Sequence, residues 1–246
     1  ENKIDFLDKS IFKNIKDLEN AIWINYGPIW DFALFLEVIS KSRPELFNRI
    51  KAIISTSSTS ALTKKFAINN FDKKLVEKIT NAENQIKKIC IEKNIIYQII
   101  RTSLIYGKSL NYNDKNLSKI INLMEIFPII VIPNNSGLRQ PIHYRQVAEI
   151  TLNRIEKIID SKIIDSNIIE VGGDEEISYY EMINKIQKSL PKKHKGKNCK
   201  IIKIPQILFI LCSLPIIFIS LKNYEAFLRI NSNLAGFTPS HKILKK

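Results

Sequence analysis

Apolar positions along this chain alternate between short runs and longer amphipathic stretches. Ala21–Asn25 (AIWIN), residues 51–57 (KAIISTS) and residues 95–102 (IIYQIIRT) are brief and rich in β-branched side chains, so they predict strands. Residues 29–41 predict a helix between the first two. Residues 70–93 carry Leu75, Ile79, Ile86 and Ile89 at helical spacing and predict another. Three strand–helix steps in a row imply a parallel sheet with covering helices, an α/β fold.

The second half is less regular. Residues 117–127 predict a helix, and 129–132 a short strand ended by Pro133. Residues 134–137 (NNSG) form a turn cluster, 144–159 an amphipathic helix, and 168–171 a strand stopped by Gly172-Gly173. Ser178, with Glu181 three residues on, carries the signature of a capping box. The chain contains no internal repeat.

Composition narrows the picture. With 246 residues, 45% of them hydrophobic, the chain can form one large domain or a domain with a lobe, and it is not a disordered segment. Cys90, Cys199 and Cys212 are odd in number and far apart, which points to a reducing, cytoplasmic compartment without a disulfide framework or a metal site. No secretory signal is read at the start of the chain. Much of the formal net charge of +14 reads as solvated lysine. Aromatic and basic residues do not interleave, and no nucleic-acid-binding module is recognised, so a nucleic-acid partner is not expected.

The charge is uneven, however. Between Glu181 and Glu225 there are nine lysines and no acidic residue. Within that span lies 207–221 (ILFILCSLPIIFISL), an apolar run broken by Pro215. Its 15 residues fall short of the ~20 that cross a bilayer. Two readings stay open: a core helix, or peripheral contact of 185–222 with the inner face of a membrane.

Candidate chemistry comes from a few stretches. The hydroxyl run from Ser55 to Ser60 ends the second strand, where parallel sheets bind ligands. A hydroxyl there can bond a substrate oxygen and assist proton transfer; equally, the run suits a polar loop that caps a helix. Residues 101–107 (RTSLIYG) end in Gly107, which permits a tight turn. In 137–147 (GLRQPIHYRQV), Arg139 and His143 flank a proline. An arginine fork suits a diphosphate, and His143 is either a ligand group or a structural hydrogen-bonding residue. Gly172-Gly173 lacks the G-x-G-x-x-G pattern and reads as a turn.

Taken in order, these pieces resemble the NAD-dependent epimerase/dehydratase family. They are the Ser/Thr-rich strand end, R-x-x-x-I-Y-G, G-L-R-Q-P-I-H and I-x-E-V-G-G-D-E-E-I-S-Y-x-E-M. Within that family they are most similar to the nucleoside-diphosphate-sugar epimerases found near bacterial polysaccharide gene clusters, from about Ile22 to the end of the chain. The resemblance implies a Rossmann-type parallel sheet that holds NAD or NADP, with a smaller helical C-terminal lobe for a nucleotide sugar. Residues 1–110 would be the C-terminal part of the dinucleotide domain. Residues 111–246 would be the substrate lobe, interleaved with the last sheet elements and including segment 185–222. Asn25, Tyr26, Gly27 and Pro28 match a loop that passes over the cofactor. Thr59, or its neighbour Ser58, matches the catalytic hydroxyl. Arg101, Tyr106 and Gly107 match the segment lining the cofactor and substrate cleft. Arg139 matches the arginine that clamps the diphosphate, and His143 the histidine of the same loop.

The sequence departs from this pattern in three places. The Gly-rich loop, two strands and the acidic ribose-binding residue are expected before Glu1. The Tyr-x-x-x-Lys dyad is expected near 70–80, which reads NFDKKLVEKIT and contains no tyrosine, although Lys74 and Lys78 are close by. Arg145-Gln146 replaces the usual acidic pair. The expected function is a nucleotide-sugar epimerase, dehydratase or reductase in polysaccharide or glycolipid precursor synthesis. A non-catalytic nucleotide-binding scaffold is the alternative. The sugar could ride on a nucleotide or a polyprenyl carrier, and a homodimer is compatible with the family.

Overall fold

A computed structural model describes residues 21–109, 112–162 and 165–244. Residues 1–20, where no signal peptide is read, lie outside them. The main sheet has five strands: β1 (Ala21–Asn25), β2 (Ile50–Ser58), β3 (Ile96–Thr102), β4 (Asn167–Gly172) and β5 (Thr238–Pro239). It is parallel, and its spatial order follows the chain, β1-β2-β3-β4-β5. Parallel neighbours need crossovers, and helices supply them. Helix α1 (Ile29–Ser42) joins β1 to β2, α2 (Asn70–Glu92) joins β2 to β3, and α3 (Tyr144–Ile159) leads toward β4. This is the α/β arrangement implied by the apolar pattern. In β2, Ala52, Ile53, Ile54 and Ser55 are all fully buried, so the strand reads as a continuous apolar run and not as an alternation.

The chain divides into two compact units. The first comprises the described part of Glu1–Leu62, with Leu75–Arg101 and Thr151–Glu170. Its core sets Ile29, Ala33, Leu36 and Ile39 of α1 with Ala82, Ile86 and Ile89 of α2 and with Ile53 and Ile99 of the sheet. The i, i+4, i+7 spacing along α1 is what makes that stripe continuous.

The second unit comprises Thr63–Lys74, Thr102–Ile150 and Val171–Lys246. The helix Lys115–Ile126 starts at Asp114, whose carboxylate accepts from the backbone N–H groups of Asn116 and Leu117. The helix Tyr179–Ser189 starts at the expected capping box of Ser178 and Glu181. Both contribute to a core of Met124, Ile132, Met182, Ile183, Ile186 and Leu190. A strand at Lys200–Ile204, absent from the sequence reading, pairs in parallel with Ile129–Pro133.

The apolar run 207–221 is not one helix. It is divided among Gln206–Ser213, the single turn Ile216–Ile219 and the start of Leu221–Leu228. Pro215 has no N–H to continue the first helix, which explains the break. Among the described residues, no helix is long and apolar enough to cross a membrane.

Candidate functional site

In the first unit, the sheet register places the expected residues at strand ends. Asn25 pairs with Ser55 across β1 and β2. The Asn25 amide donates to Ser55 Oγ at 3.1 Å and to the Gly27 carbonyl at 3.1 Å, and its Oδ1 accepts the Gly27 N–H at 3.0 Å. Asn25 therefore fixes the turn and leaves Tyr26, Gly27 and Pro28 exposed. Thr56 Oγ1 donates to the Asn25 carbonyl at 3.2 Å. Ser58 Oγ accepts the Ser60 N–H at 3.1 Å, so Ser58 caps the short helix Ser60–Thr63, while Thr59 is buried.

Arg101, at the end of β3, does not stand free. Its Nε and one terminal nitrogen grip both oxygens of Glu83 at 3.0 and 2.6 Å, and the other terminal nitrogen meets Glu170 at 3.0 Å. Ser57 Oγ donates to the same Glu83 carboxylate at 2.6 Å. The Glu83 hydrogen bonds hold the Arg101 guanidinium above its ordinary value, against the opposing effect of burial. Glu83 escapes a reading of motifs, yet a signal exists: it interrupts the buried stripe of α2 between Ile79 and Ile86. Glu83→Gln keeps the volume but removes the charge that Arg101 was built around. We expect it to lower unfolding free energy by about 2–3 kcal/mol, read by urea denaturation. Unchanged stability would mean that Glu170 alone satisfies Arg101.

In the second unit, the short strand Ile105–Tyr106 pairs in parallel with Ile142–His143. This pairing brings the Tyr106 and His143 rings to 5.1 Å, edge to face, with the Tyr144 ring 4.5 Å from His143. Gly107 sits against them at φ +133°. A Cβ there would meet the Tyr144 ring at 2.3 Å and His143 Nε2 at 3.0 Å, so the position requires glycine. His143 Nδ1 accepts the Arg145 N–H at 3.3 Å.

Gln146 stands where the resemblance expects an acidic residue. It donates to Asp174 at 2.9 Å and to Ser240 Oγ at 2.7 Å. Asp174 also accepts from Ser240 Oγ, the His241 N–H and the His241 ring. Burial pushes its carboxyl up, but these bonds outweigh it and hold the group below the ordinary value. Tyr106, Leu117, Pro141, Gln146, Asp174 and Lys185 line a cleft of about 540 Å³.

Arg139 is buried, and its guanidinium donates to the carbonyls of Leu138 and Ser232 at 2.7 Å and of Arg229 at 2.5 Å. Its face lies 5.1 Å from the Tyr179 ring. Burial pushes its pKa down to about 10. In this geometry Arg139 ties Leu138–Arg139 to the segment 229–232; the named donors point at backbone.

No protein-family model matches the chain, and no curated protein matches its sequence. Solved structures do resemble it. One is the UDP-glucuronic acid 4-epimerase of Bacillus cereus in complex with UDP-glucuronic acid and NAD, with a TM-score of 0.55, 14% identity, and coverage of 88% of this chain and 60% of that one. A dTDP-4-dehydrorhamnose reductase of Clostridium acetobutylicum gives 0.52 at 15% identity over 76% and 66%. The UDP-glucose 4-epimerase of Thermotoga maritima with UDP-glucose gives 0.51 at 11% identity over 85% and 60%. The chain spans less than two thirds of the length of each of these structures. At such identities the likeness is one of fold: this chain shares the α/β architecture of nucleotide-sugar epimerases and reductases.

Proposed function

We propose that this chain is part of a nucleotide-sugar epimerase, dehydratase or reductase that works with NAD or NADP. The observation that carries the reading is the fold likeness over 88% of the chain to an enzyme holding UDP-glucuronic acid and NAD. In the first unit, Tyr26, Gly27 and Pro28 are exposed beyond a strand carboxyl end, a setting that suits one side of a dinucleotide. Bound there, the nicotinamide would supply hydride transfer. The residues described contain no Gly-rich turn for its pyrophosphate, so Asn25 acts here by shaping the loop. Thr59, with Ser58 beside it, orients the sugar hydroxyl. In the second unit, Tyr106, Gly107 and His143 form a fixed aromatic wall for the substrate. Arg101 and Arg139 act as positioning residues, since their donors are committed to the protein. The sugar is carried on a nucleotide or a polyprenyl diphosphate, in polysaccharide or glycolipid precursor synthesis, by a monomer or homodimer.

A second reading, a non-catalytic nucleotide-binding scaffold, is favoured by one observation. The first turn of α2, where the resemblance expects a proton-transferring tyrosine, holds the buried Asp72 bound by Lys64 and Arg229. Incubation of the full-length protein with UDP- and dTDP-sugars and either dinucleotide, followed by NMR of the sugar and by calorimetry, separates the two. Sugar conversion supports the enzyme. Binding without conversion supports the scaffold, and neither result rejects both. If conversion is seen, Thr59→Val should lower turnover by about tenfold or more with the melting temperature unchanged. A fully active variant would remove Thr59 from the chemistry.

A further inference from the structure

We infer that the second unit carries a membrane-docking face, formed by two chain segments and fitted to an anionic lipid bilayer. The first segment is the divided apolar run. Its side chains turn outward: Ile207 is 76% exposed, Phe218 92% and Ile219 82%, while Phe209 and Ser213 alone are buried on the helix Gln206–Ser213. The second segment is distant in sequence. Phe66 is 88% exposed, Ile68 69% and Phe71 56%.

The helix Leu221–Leu228 joins the two. Glu225 accepts the N–H groups of Ile68 and Asn69 at 2.9 and 2.6 Å. Lys222 Nζ lies 3.3 Å from the centre of the Phe71 ring. Phe227 contacts Phe209 with ring centres 6.2 Å apart. One helix thus packs against both segments, and each segment carries exposed aromatic and aliphatic groups next to it.

Charge selects the occupant. Lys65 lies over the exposed Phe66 ring and Lys222 over the Phe71 ring, and neither forms an ion pair among the described residues. The wider segment between Glu181 and Glu225 has nine lysines and no acid. A second copy of a chain of net charge +14 would set lysines against lysines across such a face, whereas anionic headgroups would meet them with opposite charge. The broken helices are too short to span, so the face inserts only to the headgroup and upper acyl level, with Phe218 and Ile219 leading.

Flotation of the full-length protein with vesicles tests this assignment. Vesicles of phosphatidylcholine with phosphatidylglycerol should carry the protein upward at low salt. Binding should fall about tenfold in molar salt or with phosphatidylcholine alone. The double variant Phe218→Ser, Ile219→Ser should bind about tenfold more weakly, with a circular dichroism melt matching the parent's, because both side chains already face solvent. Phe66→Ser should weaken binding independently of the first segment. Protein that stays at the bottom of the gradient at low salt overturns the assignment, as does a double variant that floats like the parent. A stable dimer in sedimentation velocity that the double variant abolishes would make the face a self-association surface, and the lipid assignment would fall.

Discussion

Arg139→Met is expected to lower unfolding free energy by about 3–5 kcal/mol, measured by urea denaturation followed by far-ultraviolet circular dichroism. The physical reason is the number of acceptors one guanidinium serves. The carbonyls of Leu138, Ser232 and Arg229 all accept from it, in a region where Arg139 is 7% exposed. Methionine matches the apolar stem but supplies no donor, so carbonyl groups lose charged partners away from water. The contact with Tyr179 is lost as well. Arg139→Lys should recover only part of the stability, because one ammonium cannot reproduce the planar fork. The same pair of variants separates two roles. If Arg139 is a tie, the folded Arg139→Lys protein keeps its affinity for a nucleotide sugar while its stability falls. If it touches a diphosphate, affinity falls in the folded variant. A methionine variant as stable as the parent would show that these carbonyls are satisfied in another way.

Local pattern made most of the fold legible, and long-range pairing hid the rest. The strand at β2 was readable because both its faces are buried, giving an apolar run with no alternation. Helix α2 was readable from Leu75, Ile79, Ile86 and Ile89, and the Ser178–Glu181 capping box is a purely local device. The strand Lys200–Ile204 was not readable. Its five residues begin and nearly end in lysine, and its status depends on pairing with Ile129–Pro133, some seventy positions away. The two-residue β5 likewise exists only because Val171 and Gly172 offer it an edge.

The candidate site divides in the same manner. The order of the motifs, through the resemblance it carries, singled out Asn25, Thr59 and Arg101, but not what engages them. That Arg101 is held by Glu83 and Glu170, and Arg139 by backbone carbonyls, depends on contacts across 18, 69 and more than 90 positions. One sequence records such pairs only indirectly, as a carboxylate in an otherwise apolar stripe. Glu83 and Asp72 both lie on the inner stripe of α2, with Leu75 and Ile79 between them, and both are buried.

Asp72 gives the other large effect. Its carboxylate is fully buried and receives Lys64 Nζ at 2.7 Å, a terminal nitrogen of Arg229 at 2.8 Å and the Asn69 amide at 3.0 Å. Asn69 Oδ1 in turn accepts the Asp72 N–H at 2.8 Å, as a helix N-cap does. Burial pushes the carboxyl up, but the bonds from Lys64 and Asn69 and the charges of Lys64 and Arg229 outweigh it, so the group is held below its ordinary value. A carboxyl lowered in the folded state contributes stability above its unfolded value, and that contribution is lost as pH falls through the folded one. Asp72→Ala should therefore cost about 3–5 kcal/mol at neutral pH, since it leaves two cations partly buried with one carboxylate fewer. Asp72→Asn should cost less, because it keeps the volume and an acceptor. The gap between parent and Asp72→Asn should narrow as the pH is lowered through the carboxylate range, where the parent's Asp72 takes up its proton. Replacing both charges, as Asp72→Leu with Arg229→Met, should restore part of the loss, because no charge is then left unpaired. Denaturation curves for these variants at neutral and acid pH decide the matter. A parent that instead gained stability over Asp72→Asn as the pH fell through that range would mean that Asp72 is not ionised in the folded protein. The first turn of α2, where a proton-transferring tyrosine is expected, would then hold a neutral acid able to donate a proton.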